Sequence, residues 1–384
     1  MRVAHFGTFD VDNYGDLLFP HLVQWRLPNV KVVHVSPTGR QPHFSDALES
    51  ITLAEARDER FDAVIVGGGN IVHARKTELP DYRHIARTAY ASLWLGAGCL
   101  ASEQKIPLVF NGPGFSPARA GWLEAALIRL VSNRSTYASF RDQETAALAS
   151  SNGFGSFAEV VPDTAFDLAR MWPTNSDRVR TRPTTVSAHV NDRYIADLRE
   201  TASTLDSVSE KLDAQVRLLA IGPCHGDIET AQKVSQHMHS GPIVDQITSL
   251  KDMANAIANS QLYIGSSMHG FITALAYETP ALMVLKKYPM RKFIGLLETA
   301  ELPASSIAES WRAVHLRGSL GETLSTQSRT RIESGLERHW MRLKEALQAR
   351  PRALPTWVRN WKTLAALSVV EGKISDKLVT ITRK

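Results

Sequence analysis

Short apolar runs recur along this chain as far as residue 285, and most of them are closed at once by Gly, Asn or Asp before a helical pattern begins. The runs fall at 3–6, 30–35, 63–66, 107–110, 136–140 and 159–161, and the series restarts at 185–190, 216–221, 243–244, 261–264 and 281–285. Alternation of short buried runs with helices is the pattern of a parallel sheet covered on both faces. In such sheets ligands gather beyond the carboxyl ends of the strands, so the residues after the runs of the first series should line one cleft.

The 384 residues exceed one ordinary core and suit two. Periodicity lapses around Trp172-Pro173-Thr174 and Thr181-Arg182-Pro183. The expected division is therefore a domain over 1–172, a linker over 173–183, a second domain over 184–318, and a helix and tail over 319–384. Hydrophobic content of 43% and charged content of 22% describe a globular chain. The formal charge of +5 favours phosphates, carboxylates or an anionic membrane surface. Without a basic stripe interleaved with aromatics, nucleic acid is not an expected partner. Cys99 and Cys224 read as reduced, small hydrophobes, and His237 and His239 as surface residues. No metal site is expected. With no signal-peptide core and no apolar run long enough to span a bilayer, the expected location is the cytoplasm.

The richest stretch is Tyr263-Ile264-Gly265-Ser266-Ser267-Met268-His269-Gly270, ahead of a helical pattern at 271–277. A strand, a small-residue turn and a helix start aim free N–H groups at one point, which favours an anion. Ser266 and Ser267 add hydroxyls, and His269 carries a transferable proton; the plainer alternative is a capped turn with a packed histidine. Arg141, at the end of its strand, offers a fork suited to carboxylate or phosphate. Lys286, Lys287, Arg291 and Lys292 follow the run at 281–285 as further candidate cations. Gly7 to Asp16 (with Asn13, Gly15 and Asp16), Gly67-Gly68-Gly69-Asn70 and Asp163 complete the strand-end set. Asp227 reads as the cap of a helix over 228–239. A charged amphipathic helix over 323–348 presents Ile332, Leu336, Trp340, Leu343 and Leu347 on one face. Trp357 and Trp361, among basic residues, either pack back on the body or touch anionic lipid.

Ser266 to Gly270 resembles the Ser-x-x-His-Gly motif of the polysaccharide pyruvyltransferase family. Asn13-Tyr14-Gly15-Asp16, Gly67 to Asn70, Phe140-Arg141-Asp142 and Val161 to Phe166 match other family segments in the same order. The resemblance implies an α/β chain of two Rossmann-like domains, GT-B-like, facing across a cleft, with a C-terminal helical segment. It also implies transfer of a pyruvyl group from phosphoenolpyruvate to the diol of a sugar or oligosaccharide, free or lipid-linked, as a cyclic ketal. On that resemblance His269 and Arg141 are catalytic. Ser266, Ser267, Met268, Lys287 and Arg291 bind the donor, and Asn13, Gly15, Asp16, Gly68, Gly69, Asn70 and Asp163 line the acceptor side or the cleft. Many relatives carry Arg just before the motif histidine; Ser267 and Met268 stand here instead, so lysines or N–H groups must anchor the donor. Rival expectations are a nucleotide-sugar glycosyltransferase and a non-catalytic sugar- or phosphate-binding protein of an exopolysaccharide system.

Overall fold

The computed structural model describes residues 1–114, 122–143, 146–147, 158–174, 184–286, 291–315, 317 and 320–370, without the side chains of Asp245, Arg291 and Lys292. Two sheets carry the described strands, and every strand pairing within them is parallel.

The first contains β1 (Arg2–Phe6), β2 (Lys31–Val35), β3 (Ser50–Ile51), β4 (Ala63–Gly67), β5 (Leu108–Asn111), β6 (Tyr137–Phe140) and β7 (Ala158–Val160), in the order β3-β2-β1-β4-β5-β6-β7. The second contains β8 (Thr185–His189), β9 (Gln215–Leu219), β10 (Ile243–Asp245), β11 (Leu262–Gly265), β12 (Ala281–Val284) and β13 (Ile307–Ala308), in the order β10-β9-β8-β11-β12-β13. In each, the chain moves outward on one side of its first strand and then crosses to the other. The crossing puts a switch point between β1 and β4 in one sheet and between β8 and β11 in the other. Central strands such as β4 are buried at every position, which is why their runs show no alternation. Only β3 and β13 escape the sequence pattern. Each is a two-residue strand at a sheet edge, too short to show a period.

Five helices place the site: α1 (Tyr14–Arg26), α2 (Asp227–Ser235), α3 (Leu250–Ala258), α4 (Met268–Ala276) and α5 (Thr326–Ala346). Asn13 caps α1, its side chain accepting from the Gly15 N–H at 3.0 Å. The cap of α3 is reinforced from the other domain: Asp46 accepts from the Leu250 N–H at 2.7 Å and the Lys251 N–H at 3.0 Å.

The domains share one continuous apolar core. Tyr14, Leu18 and Leu22 of α1 join Ile221, Leu250, Met253 and Phe271 of the second domain in it. The seam is hydrogen-bonded as well. The Tyr14 N–H donates to the Ile221 carbonyl at 2.9 Å, the Cys224 N–H donates to the Asp12 carbonyl at 3.1 Å, and the Tyr14 and Thr273 hydroxyls lie 3.0 Å apart.

Helix α5 buries the expected face, Ile332, Leu336, Trp340 and Leu343. It returns the chain to the first domain, where His339 bonds the Tyr137 hydroxyl at 2.9 Å and the Asn111 side-chain oxygen at 2.7 Å. Leu354, Val358, Trp361 and Ala365 then enter the first domain's second core cluster, so residues 354–365 pack on the body. Trp357 stays 51% exposed. No helix among the described residues is long and apolar enough to cross a membrane. Both cysteines are free.

Candidate active site

A cleft of about 260 Å³ opens between the two sheets where their switch points face each other. Its first wall comes from the segments after β1, β4 and β6: Thr8, Asn13 and Asp16, then Asn70, Ile71 and His73, then Arg141. The opposite wall comes from the end of β8 and the segments after β8, β9 and β11: His189, Asn191 and Tyr194, then Gly222, His225 and Asp227, then Ser266 to His269.

At the centre His269 faces Arg141 through Asp163. The Arg141 Nη1 donates to Asp163 Oδ2 at 3.2 Å, and His269 Nε2 lies 3.7 Å from the same oxygen. Asp163 Oδ1 accepts from the Ala165 N–H at 3.0 Å. Burial alone would raise the Asp163 pKa. The His269 ring 3.7 Å away, Arg141 and the Ala165 N–H outweigh it and hold it at about 2. The carboxylate therefore stays charged, aligning the imidazole and guanidinium from beneath the cleft.

Three glycines make room for this group. A Cβ on Gly15 would collide with the His269 ring, and one on Gly114 would lie 2.6 Å from Arg141 Nε. Gly69 has φ +72°, and a Cβ there would sit 2.6 Å from Asp16 Oδ1. The edge of Phe19 packs on His269 with centroids 5.5 Å apart, and Gly68 lies flat against Phe19.

The two motif serines have different work. Ser267 is the N-cap of α4, its Oγ accepting from the Gly270 N–H at 3.2 Å. Ser266 Oγ is buried without a hydrogen-bond partner among the described residues. Together with the first-turn N–H groups of Met268 and His269, which have no acceptor inside the helix, it forms a donor set for an anion.

Asp16 is half-buried in the wall. Burial raises its pKa, opposed by His269, a Thr8 hydrogen bond, His225 and Arg141. His73, stacked on Tyr90 at 4.1 Å, is driven to about 3 by burial and the Arg75 charge, so it meets a ligand as a neutral ring.

Several expectations change. Asp227 does not cap α2; Gly226 holds the cap position with φ +79°. Its carboxylate turns back to the sheet and accepts from His189 Nε2 at 2.7 Å, Asn191 Nδ2 at 2.7 Å and the Gly222 N–H at 2.6 Å. Asp163 lies beneath the cleft, in a small adjoining pocket beside Arg141 and Met268. Lys286 is exposed and donates to the Ile195 carbonyl at 3.4 Å, outside the lining. Lys287 falls outside the described residues, as does the side chain of Arg291. Thus Arg141 and Arg193 are the cations of the lining among the described residues.

His189, Asn191, Arg193, Tyr194 and His225 also line the cleft, outside the residues that the sequence singles out. Asn191 and Gly222 are strand-end residues of the second sheet, so the rule applied to the first sheet would have reached them. No group of three metal-ligating side chains occurs among the described residues.

Two Rossmann-type sheets opposed at their switch points, with C-terminal helices bridging them, define a GT-B-like two-domain protein. Within that class the chain belongs to the polysaccharide pyruvyl transferase family, whose model matches residues 13–285. No curated protein matches it. Among solved structures it is similar to the UDP-GlcNAc 2-epimerase of Methanocaldococcus jannaschii in complex with UDP-GlcNAc and UDP, at 13% identity and a TM-score of 0.51, covering 88% of this chain and 100% of that one. It is also similar to the E. coli heptosyltransferase WaaC with ADP, at 15% identity and a TM-score of 0.41, covering 75% of this chain and 88% of that one. These likenesses concern the fold.

Proposed function

We infer that the protein transfers the pyruvyl group of phosphoenolpyruvate to two hydroxyls of a sugar, forming a cyclic ketal and releasing phosphate. The observation that carries this is that His269 of one domain and Arg141 of the other meet in a polar interdomain cleft over a shared buried carboxylate, Asp163. The donor bears a carboxylate and a phosphate. Arg141 suits the first, while Ser266 with the opening N–H groups of α4 suits the second and replaces the absent motif arginine. His269 is the general acid for the methylene carbon. Asn13, Asp16, Asn70 and neutral His73 offer the directional donors and acceptors that sugar hydroxyls require.

The test is mass spectrometry of candidate oligosaccharide acceptors incubated with enzyme and phosphoenolpyruvate, with free phosphate measured in parallel. The mass gain of one ketal-linked pyruvate, with acceptor-dependent phosphate release, is the expected result. Tight binding of a uridine-diphosphate sugar alone, with no affinity for phosphoenolpyruvate, would sink the reading in favour of glycosyl transfer.

A further inference from the structure

The cleft contains a second imidazole with its own carboxylate. His189 and Asp227 are both buried, at 4% and 1% exposure, yet both line the cleft. The Asp227 carboxylate is fixed on three sides, by His189 Nε2, Asn191 Nδ2 and the Gly222 N–H. Burial raises its pKa, but the His189 charge and those hydrogen bonds pull it below the usual carboxylate range. An ionised carboxylate only accepts, so His189 donates through Nε2, and in the neutral ring Nδ1 is the acceptor. That Nδ1 is buried and has no partner among the described residues, which in a native structure calls for an explanation. In register His189 lies directly beside Gly265, and the close approach needs glycine, since a Cβ there would be 2.6 Å from the His189 carbonyl oxygen. The second imidazole is therefore on the strand adjoining the segment that ends in His269.

Resting on the pyruvyl-transfer reading, we propose that His189 is the base for the acceptor, taking a proton from the sugar hydroxyl through Nδ1, with Asp227 as its positioning residue. Ketal formation moves two hydroxyl protons, and the two histidines balance them. In the first step the hydroxyl oxygen bonds to the phosphate-bearing carbon, His189 takes its proton, and His269 protonates the methylene to a methyl. In the second step the neighbouring hydroxyl attacks the same carbon and the C–O bond to phosphate breaks. Neutral His269 now takes the hydroxyl proton, and protonated His189 returns its own to the departing phosphate. One proton ends on the methyl carbon and one on phosphate, and both rings regain their starting states.

The test uses the full chain and an acceptor that wild type converts to a ketal. His189→Gln is expected to keep phosphoenolpyruvate affinity in calorimetry within about two-fold while kcat falls about 100-fold or more. His189→Gly is expected to regain about ten-fold activity with added imidazole, which a packing role does not permit. Asp227→Asn should lower kcat about ten-fold with little change in either KM. A His189→Gln enzyme with more than half the wild-type kcat overturns the assignment, as does a loss that imidazole does not relieve in a variant melting like wild type. Wild type that binds no phosphoenolpyruvate and forms no ketal overturns the pyruvyl-transfer reading itself, a result separate from either.

Discussion

Gly15 and His269 meet across the domain seam with no space for a β-carbon between them: a methyl on Gly15 would fall on the imidazole. One side of the seam thus decides where the other side's imidazole stands. Gly15→Ala should displace His269 and lower kcat about 100-fold, since small misplacements at a reacting centre cost that much. Overpacking the seam outweighs the local gain in helix propensity, so the melting temperature should also fall. Steady-state kinetics beside a thermal melt checks both; wild-type kcat would show that His269 needs no such confinement.

Replacing His269 itself removes the proposed acid while leaving the Arg141–Asp163 pair in place. His269→Gln should cost about 1,000-fold in kcat, with phosphoenolpyruvate binding retained by calorimetry. Near-normal turnover would end its role as acid.

Acid should destabilise the protein in two windows. His34, His73 and His339 are each held at about 3, chiefly by burial. An unfolded histidine titrates near 6.5. Between these values the unfolded chain binds protons that the native state refuses, so stability declines as pH falls from about 6.5 towards 3. Asp163, held at about 2, contributes stability above its unfolded value near 3.9, lost as pH falls through about 2. Melting curves from pH 8 to pH 2 should show the first decline well above the carboxylate range. His339→Gln should flatten it, and an unchanged slope would count against neutral burial of that ring.

The buried pair Arg26–Asp167, bonded at 2.6 and 2.8 Å, ties α1 to the segment after β7, and the Trp340 Nε1 donates to the same carboxylate at 3.2 Å. Asp167→Ala strands the Arg26 charge. Removing one partner of a buried pair is costly, and Glu337 keeps one contact to Arg26, so about 3 kcal/mol of stability should be lost. Urea unfolding measures it.

The tail offers a contrast. Trp361→Ala should destabilise by about 3 kcal/mol, because that ring fills the first domain's core. Trp357→Ala, at an exposed position, should stay within about 0.5 kcal/mol. Loss of binding to anionic vesicles in the Trp357 variant alone would instead assign that ring to a lipid surface.

The two motif serines show how far residue type reaches. The sequence offers Ser266 and Ser267 as equal donors, but the helix start consumes Ser267 as its cap and leaves Ser266 Oγ unpaired. Asp227 shows the opposite error: its place before a helix suggests a cap, while contacts to residues 36 and 38 positions earlier claim its carboxylate.

The sequence by itself determined the strands other than β3 and β13, the face of α5 and the motif around His269, because periodicity, glycine and helix starts are local properties of a chain. Only the tertiary structure decided that His269 rests on Gly15, that Asp163 serves both Arg141 and His269, and that His189 pairs with Asp227. Those partners lie tens to hundreds of residues apart. Which side chains meet depends on how two sheets bury a common core, and no short stretch of sequence records that.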